Sequence, residues 1–305
     1  MSAERADGPA WRRLVIAVLG GDEREQEICR CAAATGAEVR AFGFPWPQCG
    51  LDGVRAARDA AEAIAGANVV LMPIPGIAAD GSLFATVRIV PDEALLGRMA
   101  ARGHIIVGRA DAGLRRAVAA LGIRLHEYEG DAELRRQRAP AIVEGLIRIL
   151  IENTTITLHG ARICVIGQGT IGSALTHTLL ALGALVTVAA RNPRQRASAT
   201  ALGAHAISLE ELPAAAPAFN IVLSTAPSPI VTAAVIDRLA RDALVVDLAA
   251  PPGSCDLAYA RLSGRGAIWA RALGRRAPIT VGASQWSGIA RIIEGILTEV
   301  HGDAG

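Results

Sequence analysis

The segment CVIGQGTIGSALTHTLLALGALVTVAARNPRQR, residues 164–196, decides the fold. It opens with an apolar run, passes Gly167, Gly169 and Gly172 in the spacing G-x-G-x-x-G, and continues through a helical pattern into a second apolar run. A strand, a glycine-rich turn, a helix and a second strand in this order are typical of a dinucleotide-binding βαβ unit. The alternative is a strand-to-helix turn that uses glycine for steric reasons alone.

The three glycines have separate functions in such a turn. The first permits the tight bend, the second lets a pyrophosphate approach the backbone, and the third lets helix and strand pack closely. Free N–H groups at the start of the helix then face the anion. We therefore expect the glycines to bind a dinucleotide together with the three residues between them, Gln168, Thr170 and Ile171.

The next predicted strand, VTVAA, ends in Arg191, Asn192, Pro193 and Arg194, with Arg196 following. An NAD-binding domain carries an Asp or Glu at this point for the ribose 2′-hydroxyl, and none stands here. A guanidinium offers a planar, charged fork that suits a 2′-phosphate. We expect NADP in preference to NAD, with Arg191, Asn192 and Arg194 as binding residues. A solvated basic helix start is the alternative interpretation.

Further candidates follow two later strands. Thr225, Ala226 and Pro227 come after FNIVLS, and Asp247 ends ALVVD. Since loops at the carboxyl ends of parallel strands line the ligand crevice, we expect these residues to contact the cofactor. For Asp247, bonding to the nearby backbone remains an equal alternative to a chemical role.

Length and charge restrict the class of protein. The chain of 305 residues is long enough for two domains with separate cores. Its 31 basic and 29 acidic residues give a net charge of +2, which argues against nucleic acid or an anionic membrane as partner. Hydrophobic residues make up 51%, but Gly, Pro or a charge interrupts every run before it could cross a bilayer. A small polar metabolite is the expected partner.

The cysteines and the amino terminus indicate the compartment. The five cysteines are odd in number and show no zinc-ligand spacing, so we expect reduced thiols and no metal site. Residues 1–13 contain acidic residues and no continuous apolar core, unlike a secretory signal. These features predict a cytoplasmic protein.

Strands and helices alternate along the whole chain from Leu14, which predicts an α/β fold with two doubly wound parallel-sheet domains. We expect residues 1–138 to form a flavodoxin- or Rossmann-like substrate domain and 139–283 to form the NADP-binding Rossmann domain. Helices are expected at 54–65, at 92–102 and across the join between the domains. The last helix, 284–301, is expected to pack back on the first domain.

Few other residues suggest chemistry. Glu144 on the joining helix could exchange protons with a substrate, although solvated helix carboxylates are far commoner. Arg275 and Arg276 could clamp a carboxylate. The turn from Gly20 to Arg24 could bind an anion through backbone N–H groups.

Several motifs together resemble the A subunit of dipicolinate synthase. They are GGDER at 20–24, IENTTITLHGARICVIGQGTIG at 151–172, TVAAR at 187–191, VVDLAAPPGS at 245–254 and RAPITVG at 276–282. The similarity covers nearly the whole chain, and its most specific part is the join that leads into the glycine turn.

The resemblance implies an NADP-linked oxidation of a hydroxylated tetrahydrodipicolinate to dipicolinate, with a flavoprotein-like B subunit, during spore formation. It places Asp22, Arg24, Glu144 and the loop of Arg276 near the substrate, which we expect to bind between the domains. A homo-oligomer is also expected.

The chain departs from the family pattern at three places. Thr170 and Ile171 stand where the family usually has Arg and Thr. The sequence at 141–144 is AIVE in place of P-T-A-E, and that at 277–280 is APIT in place of A-P-K-T. The phosphate-contacting glycines remain.

Three other functions are alternatives, of which the third fits the motifs least well. A different NAD(P)-dependent dehydrogenase would act on a hydroxy or amino acid by itself, with no second protein. A non-catalytic NADP(H)-binding protein would bind the nucleotide without oxidising a substrate, because a fold does not determine a function. Methyl transfer from S-adenosylmethionine would leave the arginines at 191–196 without an anionic partner.

Overall fold

The computed structural model describes residues 10–302. The expectations for residues 1–9 therefore lie outside the described residues. The chain divides into two compact units: the first comprises the chain up to Arg138 together with the part from Ala277 onward, and the second is Ala139–Arg276.

The first unit is built on a six-stranded sheet in which every strand pair is parallel. Its strands are β1 (Val15–Leu19), β2 (Glu38–Phe42), β3 (Val54–Ala56), β4 (Val69–Leu71), β5 (His104–Val107) and β6 (Arg124–Glu127). Their order is β3-β2-β1-β4-β5-β6, which is the strand order of dinucleotide-binding folds and not that of flavodoxin. The chain reverses its direction of progress between β1 and β4, where such sheets bind ligands.

Helices cover both faces of this sheet, and the apolar clusters on its two sides are separate. The helices are α1 (Glu23–Ala34), α2 (Ala60–Ile64), α3 (Glu93–Leu96), α4 (Ala112–Ala120) and α5 (Ala132–Glu152). α5 begins in the first unit and continues without a break into the second.

The second unit repeats the same architecture. Its strands are β7 (Arg162–Ile166), β8 (Leu185–Ala189), β9 (His205–Ile207), β10 (Ile221–Ser224), β11 (Leu244–Asp247) and β12 (Gly266–Trp269), in the order β12-β11-β10-β7-β8-β9. Its helices are α6 (Thr170–Ala181), α7 (Pro193–Ala201), α8 (Leu212–Ala215), α9 (Ala233–Ile236) and α10 (Leu257–Leu262). Two parallel doubly wound sheets confirm the predicted fold class.

The last helix, α11 (Pro278–Gly302), belongs to the first unit and packs along α1. Ile289 and Ile293 are buried in the core cluster that also contains Ile28 of α1. The rings of Trp11 and Trp286 lie 5.9 Å apart between centroids. Among residues 10–302, no helix combines the length and apolar character needed to cross a membrane.

The start of α11 differs from the prediction. The apolar period suggests a start at Ser284, but the helix begins at Pro278, because proline lacks an N–H and is favoured in the first turn. The segment 276–282, expected as a loop, is therefore the end of a short 3₁₀ turn, Leu273–Arg276, followed by the first turns of α11.

Two further helix predictions are wrong in part. The segment 54–65 contains the edge strand β3 before the short helix α2. Arg55 and Ala56 of β3 are exposed, so the strand lacks the apolar alternation by which strands are recognised. The segment 92–102 contains only α3, which ends at Leu96.

Two histidines on neighbouring strands of the first sheet form a contact that the sequence did not suggest. His104 Nδ1 and His126 Nε2 lie 3.0 Å apart, and the rings stack. Burial lowers the pKa of His104 to about 4, with further lowering by His126 and Arg124 against the opposite effect of Glu299. Burial also lowers the pKa of His126. The contact therefore requires that at least one ring is neutral, and burial favours the neutral form of both.

We predict that this pair makes the protein less stable in mild acid. The unfolded chain takes up a proton on each histidine near pH 6.5, whereas folded His104 resists protonation until about pH 4. The free energy of unfolding should therefore fall as the pH decreases from about 6.5 to about 4 and then level off. Urea titrations at several pH values measure it.

His104→Asn should flatten this dependence, because the side chain keeps a polar atom but does not titrate. The control is His205→Asn, which removes an exposed histidine of the second sheet. If both variants have the same pH dependence as the unaltered protein, the histidine pair does not cause the acid sensitivity.

Candidate functional site

The glycine turn of the second unit joins β7 to α6. Gly167 follows the last residue of β7 with a φ of +90°, a conformation that glycine adopts readily. Its N–H donates to Ala189 O of β8 at 3.0 Å. A Cβ at Gly172 would lie 2.0 Å from Gly167 O, so the helix approaches the strand more closely than any larger residue would allow.

The positive end of α6 has no side chain in front of it. Gly169 is the N-cap residue, and no side chain caps the helix. The first N–H groups of a helix have no partner within it, and they carry partial positive charge. Apart from its chain neighbours, no atom of residues 10–302 lies within 4 Å of the position that a Cβ would take at Gly169. The turn therefore offers both space and donors to a phosphate.

Side chains behind the turn hold it in place. Thr225 Oγ1 donates to Ile166 O at 3.0 Å, which ties the end of β10 to the end of β7. Thr176 Oγ1 donates to Oε1 of the buried Gln168 at 3.0 Å. Ala226 N donates weakly to Ser224 Oγ, and Pro227 is exposed. Of the residues predicted to contact a cofactor here, Gln168 is turned inward, while Gly169 and Thr170 are exposed.

The arginines after β8 have different environments. Arg196 donates from Nη1 to Ala190 O at 2.8 Å and to Arg191 O at 2.9 Å, so it stabilises the end of the strand. Asn192 is the N-cap of α7 and accepts from Arg194 N at 2.9 Å. The side chains of Arg191 and Arg194 are exposed at this turn. These two guanidinium groups are the ones available to an anion.

Asp247 organises the loop that follows β11. Its Oδ1 accepts from Ala249 N at 2.8 Å, and its Oδ2 accepts from Ser254 N at 2.6 Å and Cys255 N at 2.9 Å. The carboxylate is almost completely buried. Burial and the nearby Asp247 charge raise the pKa of Cys255 to about 12, so its thiol stays protonated. The geometry gives Asp247 a structural role in shaping the loop.

The corresponding turn of the first unit is filled by its own carboxylates. Asp22 caps α1 and accepts from Arg24 N at 3.2 Å, while Glu25 Oε2 accepts from Asp22 N at 2.7 Å. Arg24 donates from Nε and Nη2 to the two Asp22 oxygens at 2.7 and 2.8 Å. Binding of an anion by backbone N–H groups, expected for this turn, is therefore wrong, because the capping box already occupies the start of the helix.

The buried charges of this turn shift one another. Burial disfavours the charged form of Arg24, but its hydrogen bonds to Asp22 and the charge of Asp22 outweigh burial and raise its pKa. Burial raises the pKa of Glu25 to about 7, against the lowering effects of Arg24 and of the bond from Asp22 N. A carboxyl with a pKa near neutrality can take or release a proton under physiological conditions.

The structure brings Glu144 and Arg276 together, since the two side chains form an ion pair within the second unit. Both side chains are substantially exposed, so Glu144 is not the buried carboxylate that proton exchange favours. Gly145, next to Glu144 on α5, allows the backbone of Leu273 to approach, since a Cβ at Gly145 would lie 2.9 Å from Leu273 O. The 3₁₀ turn Leu273–Arg276 therefore packs against α5. In the first unit, the side chain of Ile279 is exposed.

Two models of known protein families match separate parts of the chain. Residues 15–129 match the family model for the N-terminal domain of the dipicolinate synthase A subunit, and residues 150–256 match that of shikimate/quinate 5-dehydrogenase. The dipicolinate synthase A subunit of Bacillus subtilis (strain 168) is 28% identical over 296 residues, covering 96% of this chain and 98% of the relative.

Solved structures extend the comparison. The A chain of dipicolinate synthase from Bacillus subtilis has a TM-score of 0.83 at 28% identity, covering 94% of this chain and 97% of that one. The transhydrogenase from Sinorhizobium meliloti has a TM-score of 0.68 at 16% identity, covering 92% and 94%, and so shares the fold.

These matches confirm the resemblance predicted from the motifs: the chain is similar to the dipicolinate synthase A subunit over nearly its whole length. The dehydrogenase model that matches residues 150–256 indicates an oxidoreductase of the dehydrogenase type, and such dehydrogenases use a nicotinamide dinucleotide.

We predict that Gly169→Ser and Gly172→Ala have opposite effects. A serine at 169 can cap α6 and should leave the free energy of unfolding within about 1 kcal/mol, but it occupies the space and the donors in front of the helix. An alanine at 172 collides with Gly167 O and should destabilise the unit by about 1–3 kcal/mol. Urea denaturation and calorimetric titration with NADP⁺ separate the two effects. Unchanged nucleotide affinity in Gly169→Ser would contradict a phosphate site at this turn.

We also predict that Arg191→Glu reverses the preference between cofactors. A carboxylate at 191 repels a 2′-phosphate, so NADP⁺ affinity should fall about 10- to 100-fold while NAD⁺ affinity changes little. The matched control is Arg241→Glu, the same charge change at an exposed residue that precedes β11, at the amino ends of the parallel strands, whereas Arg191 follows the carboxyl end of β8. Equal losses of NADP⁺ and NAD⁺ affinity would contradict recognition of the 2′-phosphate.

Proposed function

We propose that this protein is an NADP-dependent dehydrogenase that oxidises a hydroxytetrahydrodipicolinate-type cyclic dicarboxylate to dipicolinate, as the A subunit of dipicolinate synthase. The similarity to that protein over 96% of the chain carries this proposal. It covers both units, so it extends beyond the nucleotide-binding fold that many dehydrogenases share.

The residues of the second unit fit a dinucleotide. Gly167, Gly169 and Gly172 would hold its pyrophosphate against the bare start of α6. When bound, NADP⁺ supplies the hydride acceptor. Thr225, Ala226 and Pro227, at the carboxyl end of the next strand, would line the cofactor site, and Asp247 would maintain the shape of its neighbouring loop.

The choice of NADP rests on charge. Arg191 and Arg194 are exposed at the end of β8, and no carboxylate occupies this turn. Arg196 would act indirectly, since it fixes the carbonyl groups of Ala190 and Arg191. Asn192 would cap α7 and so hold the backbone of Arg194 in its position at the start of the helix.

The proposed substrate gives the other candidates their functions. Loss of one water, one hydride and one proton converts a hydroxytetrahydrodipicolinate to dipicolinate.

Arg276 would leave its ion pair with Glu144 and bind a substrate carboxylate. Glu144, released from that ion pair, would then be able to accept a proton. Asp22 and Arg24 form the second group of substrate candidates, held rigidly at the start of α1.

The cellular context is part of the same proposal. We place the protein in the cytoplasm as a homo-oligomer that acts with a dipicolinate synthase B subunit in spore formation. Of the described residues, none group as three or more His, Cys, Asp or Glu side chains able to hold a metal, and the proposal involves none.

A second candidate is a dehydrogenase for a hydroxylated ring acid of the shikimate or quinate type. The match of residues 150–256 to that family model favours it. It would use the same nucleotide site with a different acid in the substrate site.

Turnover distinguishes the candidates. We expect the full chain, with NADP⁺ and hydroxytetrahydrodipicolinate, to form NADPH and dipicolinate in equal amounts, which absorbance and chromatography detect. Parallel reactions contain shikimate or quinate, or add a dipicolinate synthase B subunit. Bound NADP⁺ with no dipicolinate in either mixture would overturn the proposal, and turnover of shikimate or quinate would favour the second candidate.

A further inference from the structure

The first unit contains a group of buried polar atoms without hydrogen-bond partners. They are Glu25 Oε1, Tyr128 Oη, Arg138 Nε and both amide atoms of Gln285. Five of the seven such atoms found in residues 10–302 belong to these four side chains. Buried polar atoms normally have partners, and each unpaired one lowers stability. Such a concentration in one unit therefore requires an explanation.

The four side chains come from four elements of one core. Glu25 lies in the first turn of α1, Tyr128 directly follows β6, Arg138 lies on α5 and Gln285 lies on α11. Tyr128 belongs to the apolar cluster that contains residues of α1 and α11. α11 approaches α1 closely, since a Cβ at Gly282, one turn before Gln285, would lie 2.6 Å from Arg24 O.

Electrostatic interactions connect the ionisable members of the group. Burial raises the pKa of Tyr128 far above its usual range, and the charge of Glu25 adds to this effect. Burial lowers the pKa of Arg138, against the opposite effects of Tyr128 and Glu129. Arg24 is charge-paired with Asp22, but Arg138 retains an unpaired buried donor. The unpaired donors of the group are therefore Arg138 Nε, Tyr128 Oη and Gln285 Nε2, and they lie in one core with the unpaired acceptors Glu25 Oε1 and Gln285 Oε1.

The available donors suit one kind of ligand. The guanidinium of Arg138, the hydroxyl of Tyr128 and the amide of Gln285 can each donate to an oxygen. A carboxylate accepts several hydrogen bonds at once and neutralises a buried guanidinium. A neutral ligand would leave that charge uncompensated.

We propose that Tyr128, Arg138 and Gln285 form a binding site within the first unit for one carboxylate of the dicarboxylate substrate, next to the Asp22–Arg24 pair. The identity of the ligand rests on the proposed function; the carboxylate site itself rests on the unpaired donors. Glu25 places a carboxyl with one unpaired oxygen in the same group.

Glu25 should couple ligand binding to protons. Its pKa is about 7, and a second carboxylate nearby would raise it further. Binding of the ligand near neutral pH should then take up a fraction of a proton.

Three apolar replacements test the site. Tyr128→Phe and Gln285→Leu remove unpaired polar atoms but keep most of the volume, and Arg138→Met removes the charge. If the atoms serve a ligand, dipicolinate should bind the full chain about 10-fold or more weaker in each variant, while NADP⁺ affinity is unchanged. Isothermal titration measures both ligands, with Tyr259→Phe in the second unit as the matched control.

Thermal unfolding in the absence of ligand distinguishes a ligand site from a purely structural group. If the proposal holds, Tyr128→Phe and Gln285→Leu should keep or raise the midpoint of thermal unfolding, because each removes an unsatisfied group. If the group is purely structural, both replacements should lower the midpoint. Lower midpoints in both variants with unchanged dipicolinate affinity would overturn the proposal. Absence of dipicolinate binding to the unaltered protein would also overturn it.

Glu25→Gln tests the proton uptake. Glutamine preserves the capping box, so α1 should keep its start. Titrations at pH 7 in two buffers of different ionisation enthalpy should show proton uptake in the unaltered protein and none in the variant. Equal uptake in both proteins would overturn the assignment of Glu25 to this site.

These results are independent of turnover. Dipicolinate binding that depends on Arg138, without any oxidation, would retain this site and overturn the proposed function. Oxidation that is indifferent to all three apolar replacements would retain the function and overturn the site.

Discussion

The positive end of the helix that follows the first strand determines what each unit can bind. Both units have the same strand order, so α1 and α6 occupy equivalent positions. Before α6 there is only Gly169, and its first N–H groups are open to an anion. At the start of α1 lie the N-cap Asp22 and, in the first turn, Glu25, whose carboxylates already accept from backbone N–H groups there. A few side chains thus distinguish a helix start that is open to an anion from one that its own carboxylates occupy.

Buried carboxylates organise the loops of both units in a similar way. Asp247 accepts three backbone N–H groups and fixes the loop after β11, and Asp22 both caps a helix and holds Arg24 in a bidentate pair. Buried charges of this kind are retained only where several donors compensate them. Arg138 keeps a buried Nε–H without a partner, and this contrast supports the ligand proposed for the first unit.

Much of this arrangement could be predicted from the sequence. The alternation of strands and helices gave the fold class, and the G-x-G-x-x-G spacing located the turn before α6. The spacing of Asp22 and Glu25 is that of a capping box, a signal that the suggested anion site at this turn overlooked. By contrast, β3 has exposed side chains and no apolar alternation, so it was mistaken for a helix. The carbonyl contacts of Arg196 and the convergence of Tyr128, Arg138 and Gln285 depend on elements distant in the chain.

The position of α11 has a consequence for biosynthesis. The second unit is one uninterrupted stretch, Ala139–Arg276, whereas the first needs residues from Ala277 onward to cover α1 and the cluster around Ile289. A ribosome delivers the amino-terminal residues first, and domains usually fold in that order as they emerge. Here the second unit is fully synthesised before the segment that completes the first, and the first unit must wait with an apolar surface uncovered until α11 has emerged.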